Sequence, residues 1–205
     1  MRKLGKFYFL SKEKNVREVD MKKDVAELAK TFNFLTKVPW YIVGGVGTLL
    51  YLGKHYRRNM DFDIQLDIKD LPKFIFDIEK KGFVLVKRMM NKGQKFYPFR
   101  VFRKISPQKC YVGMKYVRLI NPELKNSKLK EIDILYIDEG KEFTLFRHEG
   151  HELYFKDNPH GKTIKVLGQK VNLRNPNVHK AILKLVLGKG LDKNQQDLKE
   201  LEKKT

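Results

Sequence analysis

Two aspartates, Asp61 and Asp63, stand one residue apart in "MDFDIQL", and sixteen residues before Asp61 lies Gly45, the second glycine of "YIVGGVG". On a β-strand, residues two apart point to the same face, so both carboxylates project together, about 7 Å apart by the rise per residue. Phe62 and Ile64 then point the other way, into a core. Two like charges held side by side are unfavourable unless a cation sits between them. A hard divalent ion such as Mg²⁺ meets that need, because it takes carboxylate oxygens and keeps phosphate oxygens as further ligands. The pair Gly44-Gly45 lies where an apolar, β-forming run gives way to a helical one. The free N–H groups and positive dipole end of a helix favour an anion there, and glycine lets the backbone approach a phosphate with no Cβ in the way. A metal reconciles the two halves of the segment by bridging carboxylate to phosphate. A third carboxylate, Asp133, sits between Ile132 and Ile134 in "KEIDILYID". Burying it in an apolar strand is costly without a partner, and an ion shared with Asp63 would be that partner. The three aspartates are therefore read as one divalent-metal site, with two ions.

Other phosphate and metal motifs fail on inspection. A P-loop needs a glycine four residues ahead of its Gly-Lys-Ser/Thr end, but ahead of Gly53-Lys54 that place is held by Thr48, and His55 stands where the hydroxyl belongs. A dinucleotide fingerprint starting at Gly45 and Gly47 would need its third glycine at Leu50. His148 and His151 of "RHEGHE" are three apart and lack the HExxH spacing of a zincin helix; they read as polar residues of a turn between strands.

The elements that must position these residues follow from pattern. Val25, Leu28, Phe32 and Leu35 recur at helical spacing within 20–37, with Asp20 or Asp24 as cap. "WYIVG" reads as a buried strand, 45–53 as a two-turn helix ended by glycine, "DFDIQL" as a strand, and "DLPKFIFDIEKKG" as a helix stopped at Gly82. From Phe83 to Phe155 the chain is mostly strand-like, including "CYVGMKYVRLI" from Cys110. "KTIKVLGQKVNL" predicts a hairpin at Gly168, Asn175 and Pro176 open a helix, and "DKNQQDLKELEKK" forms a last polar one. The expected organisation is a core over 1–172 and a helical segment over 173–205 packed on it.

Bulk composition narrows the partners. A chain of 205 residues with 41% hydrophobic content buries a real core. No apolar run is long enough to span a membrane, and the N-terminal stretch does not read as a signal peptide. A single cysteine, Cys110, is expected as a small core residue; it makes no internal disulfide, in keeping with a reducing cytoplasm. Forty-four Lys and Arg against twenty-four Asp and Glu give a net charge of +20, which attracts polyanions. The stretch from Lys80 to Arg118 holds twelve basic residues, no acidic one and seven rings: Phe83, Phe96, Tyr97, Phe99, Phe102, Tyr111 and Tyr116. Two readings stand side by side. The cations Lys87, Arg88, Arg100 and Arg103 line an RNA path with bases stacked on the rings, or the stretch is a solvated basic face whose rings alternate into the core.

The glycine pair, helix, Asp-x-Asp strand and later strand aspartate resemble the nucleotidyltransferase superfamily with the DNA polymerase β-like fold. "VGGVGTLLYLGKHYRRNMDFDI" is similar to segments of its lincosamide-type and abortive-infection toxin-type branches, and "VNLRNPNVHKAILKLVLGKGLDKNQQDLKEL" resembles their closing helices. The resemblance implies an α+β fold, a mixed sheet flanked by helices. It also implies transfer of a nucleoside monophosphate from a nucleoside triphosphate to an acceptor hydroxyl, with pyrophosphate leaving. Asp61 and Asp63 would hold the ions, Asp133 would ligate one and accept the hydroxyl proton, and Gly44 and Gly45 would cradle the phosphates. Thr48 takes the place of the hydroxyl residue that often follows the glycine pair, while Arg57 and Lys180 are candidates to neutralise the triphosphate. The +20 charge favours an RNA acceptor such as a tRNA end. A small antibiotic acceptor and a non-catalytic nucleic-acid-binding module are the alternatives. The toxin branch raises an antitoxin partner, which no residue here identifies.

Overall fold

The computed structural model describes residues 2–11, 18–89, 99–114, 117–124, 127–140, 144–148, 151–156, 158–186 and 192–203. In chain order the elements are β1 (Arg2–Leu4), β2 (Phe7–Ser11), α1 (Lys23–Leu35), β3 (Tyr41–Val43), α2 (Gly44–Leu52), β4 (Phe62–Asp67), α3 (Leu71–Glu79), β5 (Val84–Arg88), β6 (Phe99–Lys104), β7 (Val117–Ile120), β8 (Glu131–Glu139), β9 (Thr144–His148), β10 (His151–Phe155), β11 (His160–Val166), β12 (Gln169–Arg174), α4 (Pro176–Val186) and α5 (Asp192–Glu202). The fold is α+β, as the resemblance implies. Ten strands run in the order β1-β2-β6-β5-β7-β8-β4-β3-β12-β11, and the β9–β10 hairpin hangs from the end of β8.

Local chemistry sets the helix ends. Asp20 caps α1, its carboxylate accepting from the Lys22 and Lys23 N–H groups at 2.9 and 2.8 Å. Gly53 ends α2 in the left-handed conformation at φ 71°. Pro72 sits in the first turn of α3. The Asn175 side chain accepts from the Asn177 N–H at 3.0 Å, opening α4. The β11–β12 turn uses Leu167 and Gly168, both at positive φ, as a two-residue hairpin requires.

One face of the sheet carries the main core. Phe62, Ile64 and Leu66 of β4, Leu85 of β5, Leu119 of β7 and Ile132 and Ile134 of β8 pack there with Leu28 and Phe32 of α1 and Phe74 and Ile78 of α3. Phe32 makes edge-on contacts with Trp40, Phe74 and Phe83 at 5.4–5.5 Å between centroids. The other face is covered in part by the C-terminal helices, through Ile137 against Val178 of α4. Leu52, Leu183 and Leu201 tie α2, α4 and α5 together. The expected boundary at 172/173 falls inside β12, whose Leu173 pairs with Ile42 of β3.

The strand expected from Cys110 begins only at Val117. Residues Pro107–Lys109 form a 3₁₀ turn, and Gly113, at φ +88°, lies where a Cβ would press on Arg147. At the other end of the chain, β1 and β2 form a hairpin that extends the sheet past β6, an element the basic N-terminal sequence does not announce. Cys110 is half-buried, its thiol pushed up by burial, with the Tyr136 hydroxyl donating to its sulfur at 3.7 Å. Among the described residues no helix is long and apolar enough to cross a membrane.

Candidate active site

Strand register brings the aspartates together. The strands β4 and β8 run parallel with Asp63 directly beside Asp133. Residues paired across strands share a face, so both carboxylates lie on the face opposite the main core. Asp61, two residues before Asp63, adjoins them closely enough for its charge to act on both. Antiparallel pairing continues the row: Val43 of β3 beside Asp63, and Arg118 of β7 beside Asp133.

The electrostatics of the row are unequal. Asp63 is pushed up to about 8, first by burial and then by the charges of Asp133 and Asp61. Asp133 is pushed up to about 6 by burial, held back chiefly by Arg118. Arg118 Nη2 donates to Asp133 Oδ2 at 3.1 Å, and Nε stands 2.5 Å from Oδ1 as an ion-pair contact. Among the described residues neither Asp61 nor Asp63 makes an ion pair. The donor set of the row is all carboxylate, which suits a hard divalent cation. Register sets Asp63 and Asp133 on one face, and Asp61, expected on the same strand, lies just before β4. Among the described residues no three carboxylate, imidazole or thiol side chains come close enough to cage a single metal.

The glycine pair meets the site in an unexpected way. Gly44 opens α2 at φ +62°, and a Cβ there would overlap the Asp63 carboxylate. A Cβ on Gly45 would overlap Arg57 Nη2 and Asn59 Oδ1. The glycines therefore let Asp63 and the 57–59 loop close on the N-terminus of α2. Val43 supplies no side-chain cap, so the first-turn N–H groups keep their capacity for an anion.

Two residues expected at the triphosphate have other duties. The Arg57 guanidinium donates from Nε and Nη2 to the two oxygens of Asp197 on α5, at 2.5 and 2.6 Å, and the Tyr56 hydroxyl donates to the same carboxylate at 2.6 Å. Asp197 is fully buried. Arg57 is thus already paired with a carboxylate, and its Nη2 lies against Gly45 at the start of α2. Thr48 is fully buried too; its hydroxyl donates to the Gly44 carbonyl at 3.0 Å, within α2, and lies 3.5 Å from His179 Nε2. Lys180 is partly buried on α4. The lysine whose charge is felt at both Asp63 and Asp133 is Lys193, exposed in the first turn of α5. Its signal in the sequence was the "DKNQQDL" segment, the part that resembles the family's closing turn.

The four cations expected along an RNA path do not share a surface. Arg88 pairs with Phe102, and Lys87 with Arg103, so register sends Arg88 to one face and Lys87 and Arg103 to the other. Arg100 shares the Arg88 face, but its guanidinium is bound to Glu131 at 2.6 and 2.8 Å. Of the rings, Phe83 and Phe102 are buried in the core and Tyr111 is exposed. Phe96, Tyr97 and Tyr116, and the side chain of Phe99, lie outside the described residues.

No protein-family model and no curated protein matches the chain. Among solved structures, the lincomycin-bound lincosamide antibiotic adenylyltransferase LnuA superposes over 92% of this chain and 100% of its own, at 18% identity and a TM-score of 0.53. The adenylyl-2″-tobramycin complex of ANT(2″)-Ia matches over 89% of this chain and 86% of its own, at 12% identity and a TM-score of 0.46. A nucleotidyltransferase-like protein from Paracoccidioides brasiliensis matches over 89% and 73%, at 16% identity and 0.44. What LnuA shares with this chain at such identity is the path of the backbone. The chain has the nucleotidyltransferase fold.

Proposed function

We propose that the protein is a divalent-metal-dependent nucleotidyltransferase that moves a nucleoside monophosphate from a nucleoside triphosphate to an acceptor hydroxyl. The observation that carries this reading is the placement of Asp63 beside Asp133 on one face, with Asp61 adjoining and the uncapped N-terminus of α2 against Asp63. Asp61 and Asp63 are the residues that would hold Mg²⁺, with Asp133 beside Asp63 in the same row. Bound there, the metal supplies positive charge to phosphate oxygens that the carboxylates would otherwise repel.

The chain's own groups account for the rest. The acceptor oxygen attacks the α-phosphorus, and the bond from that phosphorus to the α,β-bridging oxygen breaks. Pyrophosphate leaves with the electron pair, and the hydroxyl proton passes to Asp133. With its carboxyl near 6, Asp133 is ionised at neutral pH and able to take that proton. The first-turn N–H groups of α2 and the Lys193 ammonium are placed to stabilise charge on the triphosphate. Asp197 acts at one remove, holding Arg57 against Gly45. The test is incubation with each α-labelled nucleoside triphosphate, Mg²⁺ and total cellular RNA, followed by a search for labelled product. Label transfer that survives in Asp63→Asn at the wild-type rate would overturn the assignment.

For the acceptor we favour RNA. A groove of about 520 Å³ at the end of β6 is lined by Lys6, Arg103, Lys104 and Lys109, with the exposed ring of Phe76 at its wall. Glu79 is the one carboxylate lining it, and Lys104 already pairs with it at 3.1 Å. Lys104 pairs with Val86 in the row that holds Arg118, Asp133 and Asp63. It stands three strand spacings from Asp133, about 14 Å, whereas Arg103 and the α3 residues Phe76 and Glu79 line the groove from the opposite, core-side face of the sheet. LnuA is a lincosamide adenylyltransferase, and a small-molecule acceptor is the competing reading.

A further inference from the structure

The third carboxylate differs from the other two in having a cation of its own. Register sets Arg118, Asp133 and Asp63 side by side on three adjacent strands, all on one face. Arg118 donates from Nη2 to Asp133 Oδ2 at 3.1 Å, and its Nε lies 2.5 Å from Oδ1 as an ion-pair contact without hydrogen-bond geometry. Its remaining nitrogen, Nη1, donates to Glu131, two residues before Asp133 on the same strand and face. Glu131 is held in turn by Arg100, which reaches it from β6 at 2.6 and 2.8 Å. The result is a chain of four charges, Asp133, Arg118, Glu131 and Arg100, alternating in sign and summing to zero. The Arg118 side chain is only 18% exposed.

We infer that Arg118 is the resident cation of the third carboxylate and stands in for a second divalent ion, so that the site loads one such ion, on Asp61 and Asp63. The inference rests on the nucleotidyltransferase reading above. A carboxylate has lone pairs to spare with one guanidinium against it, so geometry alone would admit another ligand. Charge decides against it. A guanidinium does not deprotonate to make way, and a divalent ion on Asp133 would sit within a few ångströms of a fixed positive charge in a partly dry environment. Nor is Arg118 free to swing aside, since it would have to abandon two carboxylates at once and leave Glu131 to Arg100 alone. On Asp61 and Asp63 the balance is reversed. No ion pair holds either of them among the described residues, and Asp63 stands directly beside Asp133. One ion settles that pair, while Arg118 holds the Asp133 carboxylate in the row.

The experiment is electron paramagnetic resonance of Mn²⁺ titrated into the protein with one equivalent of a non-hydrolysable nucleoside triphosphate. For the wild-type protein we expect one Mn²⁺ per complex and a mononuclear spectrum. In Arg118→Met the third carboxylate loses its cation, and we expect a second Mn²⁺ with the exchange-coupled signature of ions about 3.5–4 Å apart. Arg118→Lys keeps the charge and should stay mononuclear. Should Arg118→Met not fold, Glu131→Gln loosens Arg118 without removing it and should raise the affinity for a second Mn²⁺ at least tenfold. A coupled pair in the wild-type protein overturns the inference and leaves the transferase reading standing. So does a folded Arg118→Met that binds one ion only. A wild-type mixture whose Mn²⁺ shows only the affinity and spectrum of the free nucleotide complex overturns both.

Discussion

Strands β4 and β8 present two opposite environments from alternate residues of the same backbone. On one face Phe62, Ile64, Leu66, Ile132 and Ile134 are all but fully buried among apolar neighbours. On the other, Asp63, Gln65, Glu131 and Asp133 alternate with them, and Asp61 lies just ahead of β4. The first face has its interactions settled on folding. The second is left with a carboxylate pushed up to about 8, a group better served by something that is not part of the chain. The core residues are at home when the protein is empty, whereas a charged Asp63 is disfavoured by burial and by the two carboxylates near it. The contrast separates residues kept for stability from residues kept for chemistry.

Neighbouring substitutions should break the contrast most sharply. Asp63→Asn keeps shape and loses metal affinity, so transfer should fall by at least about 10²–10³-fold, the range for losing one group that stabilises transition-state charge. Phe62→Ala, one residue away, should cost about 3–5 kcal/mol of stability and leave turnover per folded molecule largely intact. Rates and urea midpoints on the same two variants check this. The linkage sign gives a second readout. Asp63 titrates higher folded than unfolded, so its contribution is present below about pH 4 and is lost as pH rises through about 8. In metal-free buffer at pH 8.5, Asp63→Asn should therefore melt above the wild-type protein, and Mg²⁺ should narrow the gap. A variant that melts lower at every pH would count against it.

Next in size is the clamp between α5 and the glycine turn. Asp197→Ala leaves the Arg57 guanidinium, with 12% of its side chain exposed, without its partner. Breaking a buried pair in this way costs about 3–5 kcal/mol. Thermal melts should show that loss, and the surviving folded fraction should also transfer more slowly, because Gly45 loses the brace that Arg57 provides. Asp197→Asn, which can still accept hydrogen bonds, should fall between. Undiminished stability in Asp197→Ala would mean that Arg57 finds another anion.

A smaller effect concerns the seam between α4 and α2. Burial pulls His179 down to about 4, so the neutral ring is the folded form. A histidine depressed in this way contributes fully above its unfolded value near 6.5 and loses its contribution as pH falls toward 4. Between pH 7.5 and pH 5 the protein should lose about 2 kcal/mol through this group. Urea unfolding at the two pH values, repeated with His179→Leu, isolates the share. An unchanged pH response in that variant would assign the loss elsewhere.

The carboxylate face was legible in the sequence, and the reason is period. Alternation in "DFDIQL" and "KEIDILYI" fixes which residues share a face, and both stretches are flanked by breaks that keep the register unambiguous. Gly53 and Gly82 marked helix ends for an equally local reason, since both take positive φ. What stayed hidden is long-range. Arg57 meets Asp197 across 140 residues, and no local pattern announces that a loop cation will be neutralised by a closing helix. Arg118 read as one more cation of a basic stretch until strand pairing set it beside Asp133. The same blindness to pairing made Lys87, Arg88, Arg100 and Arg103 look like one surface, although consecutive residues of a strand must face opposite ways. Even the glycine pair was half read. Its need for space was right, but what fills the space is the Asp63 carboxylate and the 57–59 loop.

The last and smallest expected effect separates the carboxylate row from the basic groove beside β6. If RNA lies in that groove, Lys6→Glu, Arg103→Glu and Lys109→Glu together remove three phosphate contacts. For a single strand each contact adds about 0.7 to the slope of log affinity against log salt, so the slope should become shallower by about 2. Phe76→Ala should weaken binding by about 1–3 kcal/mol if a base stacks on that exposed ring. Neither change should touch nucleoside triphosphate binding, which depends on α2, Lys193 and the aspartates. Conversely, Asp63→Asn should leave RNA affinity at the wild-type value, since no groove residue contacts it. Fluorescence anisotropy of a labelled single-stranded RNA across a salt series reads both halves. The small-molecule rival predicts a flat salt response in the wild-type protein and transfer that ignores the three reversals. Should the slope be steep but insensitive to them, RNA binds through cations elsewhere on a +20 surface, and the groove is not its path.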